Sequence, residues 1–206
     1  MTNSTFSPPG ISPFRSVNFT PICILLCFVN VLTACTYPVP RADRPRVDTI
    51  LELSGKTLDS PEFQRILVSL SAADFVHTSD PSSHKNDDGA TVLKRLLENP
   101  VNDVLCRRAV NPCDSRTKAW EGGGVPQLRC RLLDRRSNEE WTGTIIHEQA
   151  HAAGYLHKGN LPDGNQCTVP YIAGDLAVYI AAESPKKASL LKDICPELRD
   201  AIEAGM

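Results

Sequence analysis

The sequence lacks a surplus of positive charge, a block of basic residues and a long apolar run. Its 206 residues carry 22 Lys and Arg against 24 Asp and Glu, a net charge of −2. Proteins that bind nucleic acid by neutralising phosphates need the opposite balance, so we expect no nucleic-acid partner. The longest uncharged, mostly apolar stretch, Ile22–Leu32, has 11 residues, whereas a membrane-spanning helix needs about 20. A multi-span membrane protein is therefore excluded, and 41% apolar residues argue against a disordered chain.

Charge is also nearly missing from the amino terminus, where Arg15 is the one charged side chain of residues 1–35. A polar stretch, a short apolar run and small residues in this order predict a signal peptide over residues 1–34. The end of that stretch, Leu32-Thr33-Ala34-Cys35, resembles the lipobox of bacterial lipoproteins. The resemblance implies that Cys35 is lipidated and becomes the first residue of the mature protein.

The expected location is therefore the bacterial cell envelope, with a lipid anchor in the membrane. Thr36 behind the lipobox cysteine, in place of Asp, suits sorting to the outer membrane, facing the periplasm. Several acyl chains on one residue give stable anchoring. A plain cleaved signal, which would make the protein secreted, and an uncleaved anchor helix are the alternatives.

The remainder is expected to form one domain. Residues 35–46 hold three prolines and little to bury, which predicts a lipidated cysteine followed by an extended tether. Residues 47–206 are sufficient for one independently folding domain. The exported part keeps five cysteines, so we expect up to two disulfides and one remaining thiol, with the pairing open. These cysteines are Cys106, Cys113, Cys130, Cys167 and Cys195.

Periodicity and capping signals predict several short helices. Ser60 before Pro61, followed by apolar residues at helical spacing, predicts a helix over 61–73. After a polar loop over 78–89, a second helix ends before Pro100. Its predicted buried stripe consists of Val92, Leu93, Leu96 and Leu97. An apolar helix near 172–183 and two short C-terminal helices separated by Pro196 complete the helical predictions.

Two strands are predicted before the most informative helix. The first lies within 101–110. The second, Leu128–Leu132, alternates apolar and basic residues, which predicts one buried face. Ser137 and Glu140 form a capping box that opens the following helix. That helix is apolar on two sides, so we expect it in the middle of the domain.

The same helix carries the residues with the clearest chemistry. His147 and His151 are one turn apart, so both imidazoles project from one face and can bind one metal ion. His157 reaches that ion only if the chain breaks, and Gly154 is the residue type that ends a helix with positive φ. Three imidazoles and one open position are typical of a catalytic zinc site, where zinc lowers the pKa of a water molecule towards neutrality. Glu148, beside the metal position, is placed to accept the proton of that water.

The full pattern His-Glu-x-x-His-x-x-Gly-x-x-His resembles the signature of the metzincin clan of zincin metalloproteases. The resemblance implies Zn²⁺ ligands at His147, His151 and His157 and a general base at Glu148. It also implies an α+β, zincin-like fold with a small twisted mixed sheet, a backing helix, a central active-site helix and a helical C-terminal part. In that clan an edge strand before the active-site helix pairs with the substrate backbone, and Leu128–Leu132 is the candidate.

The chain departs from the clan at one point. Metzincins carry a Met in a turn after the motif, whereas this sequence has Met only at positions 1 and 206. Cys167–Tyr171 occupies the place of that turn. Some members use a tyrosine from the turn to stabilise the transition-state oxyanion, which makes Tyr171 a candidate and Tyr155 a weaker one. His77 and His84 are expected to be surface residues without a role.

The predicted function is a membrane-anchored, zinc-dependent metalloendopeptidase that hydrolyses peptide bonds in a protein or peptide substrate. The alternative is an inactive zincin-like envelope lipoprotein that binds a partner and keeps the metal.

Overall fold

The computed structural model describes residues 36–77, 80–107, 119–120, 125–157 and 166–205. The predicted signal peptide over 1–34, the lipidation site Cys35 and the fifth cysteine, Cys113, lie outside the described residues. Among the residues that are described, no helix is both long and apolar enough to cross a bilayer.

The described chain is an α+β fold in which helices predominate. Seven α-helices occur in the described ranges: three begin at a side-chain N-cap, and the other four carry proline in their first turn. Their bounds are α1 Arg44–Leu58, α2 Pro61–Ser69, α3 Gly89–Glu98, α4 Asn138–Ala152, α5 Val169–Ala181, α6 Ser184–Leu190 and α7 Pro196–Ala204. Short 3₁₀ helices cover Ala72–Asp74 and Cys130–Arg135.

A small mixed sheet of very short strands lies beside the helices. The strands are β1 Thr36–Pro38, β2 Leu105–Arg107, β3 Ala119–Trp120 and β4 Gln127–Leu128, in the spatial order β1-β2-β4-β3. β2 and β4 are parallel, while β1 and β3 are the antiparallel edge strands. The sheet is therefore mixed, as expected.

Helix α4 lies between two hydrophobic clusters, as its two apolar faces predicted. Trp141 and Ile145 pack with residues of α1, β2 and β4 on one side. Ile146 and Ala150 pack with α2, α3, α5 and α7 on the other. Because both sides are buried, the helix is held rigidly within the core.

Helices α4 and α5 approach each other closely at two glycines. A Cβ atom added to Gly174 would lie 2.9 Å from the carbonyl oxygen of Gly143 and 3.2 Å from Cβ of His147. Only a residue without a side chain allows this backbone approach. The contact brings the first turn of α5 next to the His147 side of α4.

The structure corrects three predictions about local structure. The tether predicted over 35–46 is wrong in its described part, since Thr36–Pro38 pairs with β2 and α1 begins at Arg44. The helix predicted over 61–73 ends at Ser69, because Ser71 and Asp74 form a capping box of their own. Leu97, expected in a buried stripe, is 44% exposed, although the rest of that stripe is confirmed.

The strand predicted over Leu128–Leu132 is also wrong. Only Gln127–Leu128 is extended, and the chain continues as the 3₁₀ helix Cys130–Arg135. Arg129, predicted to face solvent, is fully buried. β4 is moreover an interior strand, paired on both sides, so it is not the edge strand that the resemblance required.

Two disulfides join four of the five cysteines of the predicted domain. Cys106 of β2 is bonded to Cys130, and Cys167, just before α5, is bonded to Cys195, just before α7. The Cα atoms are 5.3 Å and 5.0 Å apart, within the range of native disulfides.

Candidate metal site

The site is built on the last turn of α4 and the chain that follows it. The capping box of Ser137 and Glu140 fixes the start of the helix, as predicted, and His147 and His151 lie one turn apart near its end. Both rings are half-buried, with centroids 4.9 Å apart. Regular helical geometry alone therefore places the first two imidazoles together.

Gly154 reverses the chain and brings the third imidazole back. Its φ is 96°, in the left-handed region. The Gly154 amide donates to the carbonyl of His151 at 2.9 Å, and the Tyr155 amide donates to the carbonyl of Ala150 at 3.0 Å. These two bonds form a Schellman motif, the helix ending that favours glycine at this position. The predicted helix break at Gly154 is thus confirmed.

The three histidines converge. Nε2 of His157 lies 3.1 Å from Nε2 of His147 and 3.1 Å from Nε2 of His151. One ligand atom from each residue lies within 4.8 Å of the others, so the group can hold a metal ion. Nδ1 of His151 lies 2.7 Å from the carbonyl oxygen of Tyr155, which can only accept, so Nδ1 carries the proton. The lone pair of Nε2 is then available to a metal.

Two further predicted residues neighbour the histidines, Glu148 in the sequence and Tyr171 in space. Glu148 follows His147 on α4 and is 5% exposed. Tyr171, in the first turn of α5, places its ring centroid 4.6 Å from that of His147 and 4.9 Å from that of His157. The close approach of α4 and α5 at Gly143 and Gly174 explains why Tyr171 reaches the imidazoles.

Tyr155, the weaker candidate for stabilising the oxyanion, directs its hydroxyl to Asp87. Its ring is fully buried, and its hydroxyl donates to Oδ2 of Asp87 at 2.8 Å. Burial, together with the hydrogen bond to the Asp87 carboxylate, raises the pKa of the Tyr155 phenol far above its usual range. Tyr155 therefore anchors the turn that follows α4.

His77 and His84 are not the surface residues that were expected. The His77 side chain is 8% exposed, and its Nδ1 lies 2.7 Å from Oδ2 of the buried Asp80. Nδ1 of His84 lies 3.3 Å from the carbonyl oxygen of Gly154, and its ring packs against that of Tyr155. Both histidines therefore belong to the surroundings of the turn.

The carboxylates of Asp80 and Asp87 are the residues that the sequence analysis missed. Oδ1 of Asp80 accepts the Leu156 amide at 2.5 Å, and Asp87 accepts both Tyr155 and Nε of Arg95, the latter at 2.8 Å. These acids lie in a polar segment without periodicity, 76 and 68 residues before Leu156 and Tyr155, respectively. Acidic residues in such a segment give no signal of burial, so only the tertiary structure reveals them.

A second group of potential ligand atoms consists of Cys167, Cys195 and Glu197. The two sulfur atoms are bonded to each other, and Oε2 of Glu197 lies 3.1 Å and 2.8 Å from them. Metals bind cysteine as the thiolate, which a disulfide does not provide. In this oxidised form the group is a covalent cross-link.

Comparisons with protein-family models, with curated proteins and with solved structures returned no match. The site is therefore interpreted from its own geometry and chemistry.

Proposed function

We propose that the protein is a zinc metallopeptidase of zincin-like fold that resembles the metzincins and hydrolyses peptide bonds. The observation that carries the proposal is the convergence of three imidazole Nε2 atoms, and the buried Glu148 directly follows one of the three histidines in the helix. His147 and His151 come from one helix turn, and His157 returns through the Gly154 reversal to 3.1 Å from both.

The donor set fits zinc. Tetrahedral zinc with Zn–N bonds of about 2.0–2.1 Å separates neighbouring nitrogens by about 3.3 Å. The observed 3.1 Å separations are close to that value. Three protein ligands with a fourth position left for water or substrate characterise catalytic rather than structural zinc sites. His147, His151 and His157 are therefore assigned as the ligands.

The remaining residues have roles that follow from their positions. When bound, zinc would supply Lewis acidity for the carbonyl group and for the attacking water. Glu148 takes the proton of that water as it attacks the carbonyl carbon, and passes it to the nitrogen of the leaving amine. The Tyr171 hydroxyl donates to the oxygen on which negative charge develops.

We place substrate recognition at β3 and not at the predicted strand Leu128–Leu132, which is not an edge strand. Ala119–Trp120 is one of the two edge strands of the described sheet, is antiparallel to β4 and, unlike the other edge strand β1, follows β2 in the chain and lies near α4. An extended peptide that pairs with this edge would be recognised mainly through its backbone. This assignment keeps the proposed mode of recognition and replaces Leu128–Leu132 as its location.

The envelope location and the lipid on Cys35 belong to the same proposal. Because β1 begins at Thr36, the residue after Cys35, a lipid there would hold the domain directly at the membrane surface. A long tether would not separate them. The substrates would then be proteins or peptides at that surface.

A second candidate function is a zincin-like envelope lipoprotein that binds a partner, keeps the metal and has lost hydrolysis. The observation in its favour is the segment Cys167–Tyr171, which lacks the Met of the clan and is instead fixed by the disulfide to Cys195.

Replacement of Glu148 by Gln separates these functions. In the purified protein we measure bound metal and the hydrolysis of an unfolded protein substrate, with and without a chelator. We expect about one zinc per chain, chelator-sensitive hydrolysis, and a loss of about 10²-fold or more in Glu148→Gln with zinc retained. Glu139→Gln, in the first turn of the same helix, is the matched control and should retain activity.

Three outcomes would contradict the proposal in different ways. Zinc without hydrolysis in the parent protein favours the partner-binding lipoprotein. Hydrolysis that persists in Glu148→Gln removes the assignment of the base. A parent protein that binds no zinc removes the metal site and both candidate functions.

A further inference from the structure

Three consecutive residues of the turn that leads to His157 are contacted by side chains from one earlier segment. These residues are Gly154, Tyr155 and Leu156, which lie between the C-cap of α4 and His157. Their partners are His84, Asp87 and Asp80, respectively, and all of these belong to residues 77–95. The segment therefore forms a support under the turn, without contributing a ligand to the metal.

Asp80 makes the contact nearest to the ligand. Its Oδ1 accepts the main-chain amide of Leu156 at 2.5 Å, one residue before His157. Its Oδ2 lies 2.7 Å from Nδ1 of His77, and both side chains are buried. A buried carboxylate requires such partners, because an unsatisfied one carries a large desolvation cost. His77 and the Leu156 amide thus fix the carboxylate in one orientation.

The other two contacts act further from the ligand. Asp87 holds the hydroxyl of Tyr155, which is the tip of a side chain, and Nδ1 of His84 lies at a longer distance, 3.3 Å, from the Gly154 carbonyl. These contacts seat the turn on the domain. Among the three, Asp80 alone binds main chain adjacent to His157.

We propose that Asp80, oriented by His77, is a positioning residue that sets His157 for metal binding before the metal arrives. The inference rests on the metal site of the proposed function and does not depend on hydrolysis. A ligand on an irregular turn must be ordered when the metal binds, and that ordering reduces affinity. Because the Leu156 amide is already fixed by Asp80, most of this ordering cost is removed before the metal binds. Hydrogen-bond partners that orient metal ligands generally act in this way.

The test measures zinc affinity in the metal-stripped, refilled protein by competition with a chromophoric chelator. Asp80→Ala should weaken zinc binding by about 10- to 100-fold. Asp80→Asn should recover most of the affinity, because its amide oxygen can still accept the Leu156 amide. Asp88→Asn is the matched control: this carboxylate is exposed, caps α3 through the Thr91 amide and should leave the affinity unchanged.

A second readout distinguishes positioning from general stability. Cobalt bound in place of zinc should show an altered visible spectrum in Asp80→Ala, since the third imidazole is displaced, and the parent spectrum in Asp88→Asn. If Asp80→Ala fails to fold, amide hydrogen exchange in the metal-free parent decides the matter. We expect the Leu156 amide to be protected there, and rapid exchange would overturn the inference.

The failures of the two proposals can be told apart. Equal zinc affinity and an unchanged cobalt spectrum in folded Asp80→Ala overturn the role of Asp80 and leave the proposed function intact. A parent protein without zinc affinity overturns both.

Discussion

At the scale of single residues, His151 couples the helix to the turn that follows it. Its Nδ1 donates to the carbonyl of Tyr155 at 2.7 Å, while its Nε2 lies 3.1 Å from Nε2 of His157. The same imidazole can thus serve as a ligand while it holds the main chain that leads to the next candidate ligand. Such a partner on the second nitrogen fixes both ring orientation and tautomer.

The proposed role of Tyr171, donation of a hydrogen bond to the developing oxyanion, depends on its hydroxyl group alone. In Tyr171→Phe the ring keeps its contacts with His147 and His157, so we expect zinc affinity to be unchanged. Loss of a donor to the developing oxyanion should lower kcat by about 10²-fold, with little change in KM. Steady-state kinetics and metal analysis of the variant check both expectations.

Tyr179→Phe provides the comparison for that experiment. Tyr179 lies two turns further along α5, against Lys187, and is remote from the described metal-site contacts. Its variant should retain kcat. If Tyr171→Phe is as active as the parent, the assignment of Tyr171 to the oxyanion is wrong, whereas a parallel loss of zinc would make it a support for the imidazoles.

At the scale of elements, the stability of the α4 end depends on the glycine that follows it, Gly154. Gly154→Ala puts a β-carbon on a residue with φ of 96°, which costs about 1–2 kcal/mol. That carbon would also lie 2.6 Å from Cε1 of His84. We therefore expect the free energy of unfolding to fall by at least this amount, with weaker zinc binding, as measured by denaturant titration and chelator competition.

Gly55→Ala is the opposite case on α1. A β-carbon there meets nothing within 4 Å and the residue lies inside a helix, so alanine should stabilise the protein by about 0.5–1 kcal/mol. If Gly154→Ala is as stable as the parent protein or more stable, the conformational argument for Gly154 fails.

The elements also show what the sequence could predict. Helices were predicted from local signals, such as the Ser137 capping box and the apolar stripes, because these signals act within a few residues. The alternation over Leu128–Leu132 gave a wrong prediction. A strand of two residues forms because neighbouring strands pair with it, and its own sequence pattern does not specify it. Arg129 is buried and Cys130 is bonded to Cys106, two tertiary facts that alternation does not contain.

The candidate site likewise has one part that the local sequence predicts and one part that it does not. The proposed ligands His147, His151 and His157 share one continuous motif, so their convergence was predictable from helix geometry and one glycine. Asp80 lies 76 residues from Leu156, and nothing in its local sequence marks it as buried. Contacts of that range arise from packing of whole elements, which single-sequence reasoning does not reach.

At the scale of the whole described domain, one disulfide lies in or at the border of each hydrophobic cluster. Cys106–Cys130 lies in the cluster of α1 and the sheet, and Cys167–Cys195 borders the cluster of α2, α3, α5 and α7. The bonds span 24 and 28 residues. Loops of this length restrict the unfolded chain by about 3–4 kcal/mol each.

Of the two disulfides in the described residues, only the second also borders the candidate metal site. The Cys167 carbonyl accepts the amide of Val76, next to His77, at 2.8 Å, and Tyr171 follows four residues after Cys167. Its cross-link to Cys195 therefore holds both Tyr171 and the segment that supports the turn of His157.

Serine replacement of both cysteines in each pair tests this difference between the two disulfides. Both double variants should lose about 3–4 kcal/mol of unfolding free energy in denaturant titrations, since each loses one loop constraint. Below the unfolding transition, only Cys167→Ser/Cys195→Ser should also lose zinc affinity and hydrolysis, because its bond fixes the surroundings of Tyr171 and His77. Cys106→Ser/Cys130→Ser, folded under the same conditions, is the control. Equal effects of the two variants on zinc affinity would show that the second disulfide contributes stability alone.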